Sequence, residues 1–107
     1  MNTQDTILSI KEKMKSVMPQ GSEAILFGSR ARGDYREDSD WDILILLDKD
    51  KINRLVDEDI TYSLREFGWE INEQINPILF TKKDWENSKH NSLFYYNVMN
   101  EGITLWA

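Results

Sequence analysis

The stretch that decides the fold runs from Ala24-Ile25-Leu26-Phe27 through Gly28-Ser29-Arg30-Ala31-Arg32-Gly33 and Asp34-Tyr35-Arg36-Glu37-Asp38-Ser39 to Asp40-Trp41-Asp42, then Ile43-Leu44-Ile45-Leu46-Leu47. Its two ends are short, uninterrupted apolar runs, the pattern of buried strands. Between them lie a Gly-Ser turn, a short basic helical turn and a polar loop. A connection this short makes the strands antiparallel neighbours, since a parallel pair needs a longer crossover. The exit of the first strand and the entrance of the second then share one edge of the sheet. Asp40 and Asp42, two apart, point to the same face there, toward Gly28-Ser29.

Each half has a chemistry. Backbone N–H groups in a turn that opens a helix attract anions, phosphate above all. Gly28 allows close approach and Ser29 adds a hydroxyl. Arg30 and Arg32 fall where the helix dipole disfavours cations, a placement that makes sense with an anion in front of them. Asp40 and Asp42 are like charges held close, which calls for a cation. Hard oxygens on one face suit Mg²⁺ together with substrate phosphates. Singly, Gly-Ser, Arg-x-Arg and Asp-x-Asp are common surface features. In this order, between two buried strands, they outline a nucleotide-handling site.

The run resembles the signature of the DNA polymerase β-like nucleotidyltransferase superfamily, and most closely its minimal nucleotidyltransferase (MNT) domains. Their pattern is Gly-Ser, ten residues, Asp-x-Asp. Here Gly28-Ser29 and Asp40-x-Asp42 are separated by the ten residues Arg30 to Ser39. The form Gly28-Ser29-Arg30-Ala31-Arg32-Gly33 and the Ser39-Asp40 pair also match the MNT variant. The resemblance implies an α/β, two-layer nucleotidyltransferase fold with a mixed sheet and helices mainly on one face. It implies Mg²⁺ at Asp40 and Asp42, a triphosphate held by Gly28 and Ser29, and AMP moved from ATP to a hydroxyl. Arg30, with Arg32 beside it, would neutralise the phosphates. For MNT domains the acceptor implied is a tyrosine of a small helical HEPT partner, silenced in an antitoxin role.

Similar enzymes often carry a third carboxylate on the strand beside Asp-x-Asp, as general base or metal ligand. Counting back from Phe80-Thr81 places Asn76 there. Asn ligates a metal through its carbonyl but takes no proton at neutral pH. Glu73 or Glu70 substitutes if the register shifts. The departure leaves a second reading open: a catalytically weakened nucleotide-binding or partner-binding module of the same fold.

The remainder fits one domain over residues 1–107. Forty per cent of the residues are hydrophobic, with four Trp, enough for a single core. A net charge of −6 argues against an extended nucleic-acid surface. With no cysteine, disulfides and thiolate chemistry are excluded. No apolar run approaches spanning length and the N-terminus lacks a leader pattern, so the expected compartment is the cytoplasm.

The periodicity predicts a helix over 3–18 with Ile7, Ile10, Met14 and Val17 inward and Thr3 or Thr6 as cap. A second helix is predicted over 50–67, with Ile52, Val56, Ile60, Leu64 and Phe67 buried, Asp57, Glu58 and Asp59 solvated, and Gly68 as C-cap. A third strand lies within 69–81, at an edge or bulged because of Pro77. Thr81 caps a short helix from Lys82. A last helix over 92–100 half-buries Leu93, Tyr96, Val98 and Met99 and ends at Gly102. Thr104-Leu105-Trp106 returns to the domain. His90 is isolated and read as structural or exposed, and Phe94, Tyr95, Tyr96 and Trp106 as packing residues.

Overall fold

The computed structural model describes residues 2–107. Helix α1 (Thr3–Val17) leads into strand β1 (Glu23–Phe27), the single-turn α2 (Ser29–Arg32) and β2 (Trp41–Leu47). Helix α3 (Arg54–Glu70) crosses to β3 (Ile75–Thr81). Helices α4 (Lys82–Asn87) and α5 (Leu93–Glu101), joined through a 3-10 turn, precede β4 (Ile103–Trp106). The sheet is mixed, in the order β3-β2-β1-β4. β1 is antiparallel to β2 and β4, and β2 is parallel to β3. The α3 crossover supplies the length that a parallel pair requires. No helix among the described residues is long and apolar enough to cross a membrane.

β2 is the central rod, with Ile43 to Leu47 all buried. Alternation sends Trp41, Ile43, Ile45 and Leu47 to the face covered by the long helices, against Ile10 and Met14 of α1 and Ile60 and Leu64 of α3. Leu44 and Leu46 enter a smaller cluster on the other face, with Trp85 of α4 and Val98 of α5. Trp85 is its hub, with ring centroids 5.4 Å from Phe80, 5.5 Å from Phe94 and 4.9 Å from Tyr95. The expected α/β class with a mixed sheet is the one observed, and Pro77 sits on edge strand β3, where a missing ladder donor costs nothing inward.

Several local expectations are corrected. Asn2 caps α1, accepting from Asp5 N at 2.8 Å, while the Thr6 hydroxyl donates to Asn2 O. α3 begins later and ends later than its stripe suggests. Val56 is exposed, and Asp57 takes an inward position instead. Asp57 accepts from Asn53 N at 2.6 Å and pairs with Lys49 Nζ at 2.9 Å, closing the start of α3. Gly68 lies inside α3, where a Cβ would meet Glu73 O at 2.8 Å; the chain turns at Asn72, φ 62°. On α5, Leu93, Tyr96 and Met99 are exposed, while Phe94, Tyr95 and Val98 pack inward. The C-terminal segment is a full strand, β4.

Candidate active site

β1 ends at Phe27, paired with Asp42 of β2. Gly28 then turns the chain at φ +77°, a conformation that favours glycine. A Cβ on Gly28 would lie 2.6 Å from Asp42 Oδ2, so the glycine is required twice, by its backbone and by the carboxylate beside it. Gly28 is the N-cap of α2, and Gly33, φ +91°, closes that helix by donating to Ser29 O at 2.9 Å. The N–H groups of the first turn lack acceptors within the helix, and they belong to Ser29 and Arg30, next to Asp42.

Asp42 faces β3 on its other side. In the parallel register Asp42 pairs with Asn76, and Asn76 Nδ2 donates to Asp42 Oδ1 at 3.2 Å. Asn76 therefore stands at the position counted from the sequence. Asp40, just ahead of β2, is exposed, and Asp42 is half-buried. Alternation about Trp41 puts both carboxylates on one side of the chain.

Glu73 is elsewhere. Its Oε2 accepts from Trp41 Nε1 at 3.0 Å. Trp41 points to the face opposite Asp42, so the suggestion that Glu73 serves as a base beside the Asp pair is corrected by the pleat of β2. Glu70 ends α3 and is likewise off β3.

The two arginines also part company. Arg30 is only 7% exposed and its guanidinium lies over the rings of Tyr35 and Trp41, 4.5 Å from each centroid. Its Nη2 donates to Glu37 O at 3.1 Å, and both Nε and Nη2 donate to Ser39 O at 3.2 Å. These bonds turn Arg30 away from the side expected to meet an anion. Arg32 reaches Glu101 of α5 at 2.9 Å and Asp34 at 3.3 Å. Hydrogen bonding to Glu101, then to Asp34, raises its pKa above the ordinary value, so it is a fixed cation. No spacing in the sequence announces the clasp of Tyr35, Glu37, Ser39 and Trp41 around Arg30. The signal was present in the aromatic residues on either side of Ser39-Asp40, whose stacking partner only the fold reveals.

No group of three or more His, Cys, Asp or Glu gathers among the described residues. Asp40, Asp42 and Asn76 instead offer two carboxylates and an amide carbonyl. That set of hard oxygens fits Mg²⁺, which commonly takes one or two carboxylates and completes its shell with waters and phosphates. Asp42 Oδ2 lies so close to the Gly28 turn that a Cβ on residue 28 would come within 2.6 Å of it, which sets this hard oxygen against the turn.

Fold and site together define a class, a nucleotide-handling α/β enzyme domain with its carboxylates opposite a glycine turn. Known proteins sharpen it. Residues 7–104 match the family model described as a nucleotidyltransferase domain. The "Putative protein adenylyltransferase" of Methanocaldococcus jannaschii is 36% identical over 107 residues, spanning 99% of this chain and 100% of its own. The crystal structure from Sulfolobus solfataricus described as a "putative nucleotidyltransferase" is 25% identical, with a TM-score of 0.61, covering 97% of this chain and 82% of that one. A toxin–antitoxin structure with AMP-PNP shares the fold at 16% identity, with a TM-score of 0.63 and coverage of 94% and 73%. The chain belongs to the nucleotidyltransferase domain family.

Proposed function

We propose that this nucleotidyltransferase moves AMP from ATP, with Mg²⁺, onto a tyrosine of a small helical HEPT-like partner, and by doing so silences that partner as its antitoxin. The observation that carries the reading is the contact of Gly28 with Asp42, which sets a phosphate-binding turn against a metal-binding carboxylate. The name of the archaeal relative supports protein as acceptor. The toxin–antitoxin structure with AMP-PNP supports an adenine nucleotide and a paired partner.

In this reading Asp40 and Asp42 hold the metal, which when bound supplies charge neutralisation at the triphosphate. Asn76 keeps Asp42 oriented through its amide. Gly28 and Ser29 grip the β- and γ-phosphates through backbone N–H and hydroxyl. The acceptor oxygen forms a bond to the α-phosphorus as the bond to pyrophosphate breaks, and catalysis is largely positioning and electrostatics. Asn76 cannot accept the acceptor's proton. A phenol, with a pKa of about 10, gives up that proton to solvent water far more readily than an aliphatic alcohol does. Tyrosine is thus the acceptor that best suits a site without a third carboxylate.

The same Asn76 favours the second reading, a domain that docks its partner with turnover weakened. The intact mass of the adjacent gene's product, after incubation with the chain, ATP and Mg²⁺, separates the two. Adenylyl-sized increments abolished by EDTA are expected. An unchanged mass with the proteins still co-eluting would replace the first reading by the second.

A further inference from the structure

Asp40 is exposed and has no backbone ladder of its own, yet the proposed chemistry needs its carboxylate beside that of Asp42. The residues before and after it are both gripped by one side chain. Arg30 holds the Ser39 carbonyl with two N–H groups at 3.2 Å and the Glu37 carbonyl at 3.1 Å. Its guanidinium also stacks on Trp41, 4.5 Å from the ring centroid. The far side of the clasp is closed by Glu73, 3.8 Å from Arg30 Nη2 and 3.0 Å from Trp41 Nε1. The Tyr35 ring centroid also lies 4.5 Å from the guanidinium carbon, and its hydroxyl accepts from Thr3 Oγ1 of α1 at 2.8 Å. Ser39 itself closes the loop, its N–H donating to Arg36 O at 3.0 Å and its Oγ accepting from Arg36 N at 2.8 Å.

We infer that Arg30 is a positioning residue that sets the Asp40 carboxylate for metal binding from the opposite face of the sheet, and that it does not bind the nucleotide. The inference rests on the AMP-transfer reading for its purpose, but the clasp stands on geometry alone. Arg30 belongs to α2, the helix that Gly28 opens, so one rigid turn carries the phosphate-binding backbone on one side and anchors the loop bearing Asp40 on the other. A guanidinium is needed for this: it satisfies two carbonyls while its carbon lies 4.5 Å from the centroids of two aromatic rings. An ammonium keeps the charge but cannot reproduce the fork or the stacking.

The test uses the full chain, with Arg30→Lys as the main variant and Arg30→Met as the second. Metal affinity is read directly from free Mn²⁺ by electron paramagnetic resonance, amide exchange is followed over residues 37–41, and AMP transfer is assayed against Mg²⁺ and ATP separately. Arg30→Lys is expected to melt cooperatively, to weaken Mn²⁺ binding about tenfold, as loss of a group that orients a ligand commonly does, and to speed exchange in the loop. The Mg²⁺ needed for half-maximal rate should rise in step, while KM for ATP at saturating Mg²⁺ stays within about twofold. Arg30→Met should show a larger shift in the same direction. Unchanged Mn²⁺ affinity in Arg30→Lys, or a raised KM for ATP at saturating metal, would overturn the inference. So would a Lys variant that no longer unfolds cooperatively, since Arg30 would then be serving the fold as a whole, and so would a wild-type chain that binds no Mn²⁺. A wild-type chain that binds Mn²⁺ but transfers no AMP sinks only the AMP-transfer reading, and the Mn²⁺ titration still decides the clasp.

Discussion

Asn76 of β3 donates its amide to Asp42 of β2 at 3.2 Å, across the parallel β2–β3 pair. The bond joins the best-supported carboxylate of the site to the position where similar enzymes often hold a third one. Asn→Asp at 76 would set two carboxylates at that distance and replace a hydrogen bond by repulsion. Without metal, Asn76→Asp should therefore melt below wild type. Mg²⁺ should recover the loss and stabilise the variant more than wild type, because a ligand that binds only the folded chain adds stability that grows with the logarithm of its affinity. Melting curves with EDTA and with Mg²⁺ check this. Equal Mg²⁺ shifts in the two proteins would remove residue 76 from the metal site.

Asp40 and Asp42 are expected to be separable from the fold. Asp40 is exposed, so Asp40→Asn should leave the melting temperature nearly unchanged. It should still lower Mg²⁺-dependent AMP transfer about a hundred- to a thousandfold, the range seen when one preorganised electrostatic group is removed. Asp42→Asn should lose activity to the same degree. A fully active Asp40→Asn enzyme would show that the proposed metal assignment is wrong.

Gly28→Ala tests the other half of the site. At φ +77° an alanine costs about 1–3 kcal/mol of backbone strain. Its Cβ would also lie 2.6 Å from Asp42 Oδ2, so the carboxylate must move. The expected result is a chain that folds with a reduced urea midpoint and has lost nearly all AMP transfer. Retained activity would mean that Asp42 has freedom to give way and that its position is set less tightly than the contact indicates.

Much of this site could be read in the sequence because it is local. Gly28, Asp40, Asp42 and the two flanking strands sit within one hairpin-like segment, where strand alternation and turn chemistry suffice. Asn76 was placed by counting along β3, and the parallel register agrees. The partners of Arg30 and Glu73 come from the opposite face, through Trp41, and no spacing rule says which side of a pleated strand a helical arginine will choose. Gly68 was read as a helix end, when close approach of Glu73 and Ile75 is what demands it. β4 is four residues long and half exposed, too short for a periodic signal, and becomes a strand by pairing with β1.

The start of α3 shows the same limit and yields a prediction in pH. Three successive acids, Asp57-Glu58-Asp59, look like a solvated face, but Asp57 is 4% exposed. Burial alone would raise its pKa. The Asn53 N–H at 2.6 Å and the Lys49 ammonium at 2.9 Å outweigh burial and hold the carboxyl below its ordinary 3.8. A folded-state value lower than the unfolded one means that Asp57 contributes stability above the unfolded value, lost as the pH falls through the folded one. Asp57→Asn keeps the acceptor for Asn53 but removes the charge. It should cost about 1–3 kcal/mol at pH 7, the scale of a charge-assisted hydrogen bond, reduced because Lys49 is partly exposed. The difference from wild type in urea midpoint should hold down to about pH 4 and shrink below it, as protonation makes the wild-type side chain neutral too. A difference that stays constant from pH 7 to pH 3 would show that the variant's loss is one of packing and that the charge on Asp57 contributes nothing.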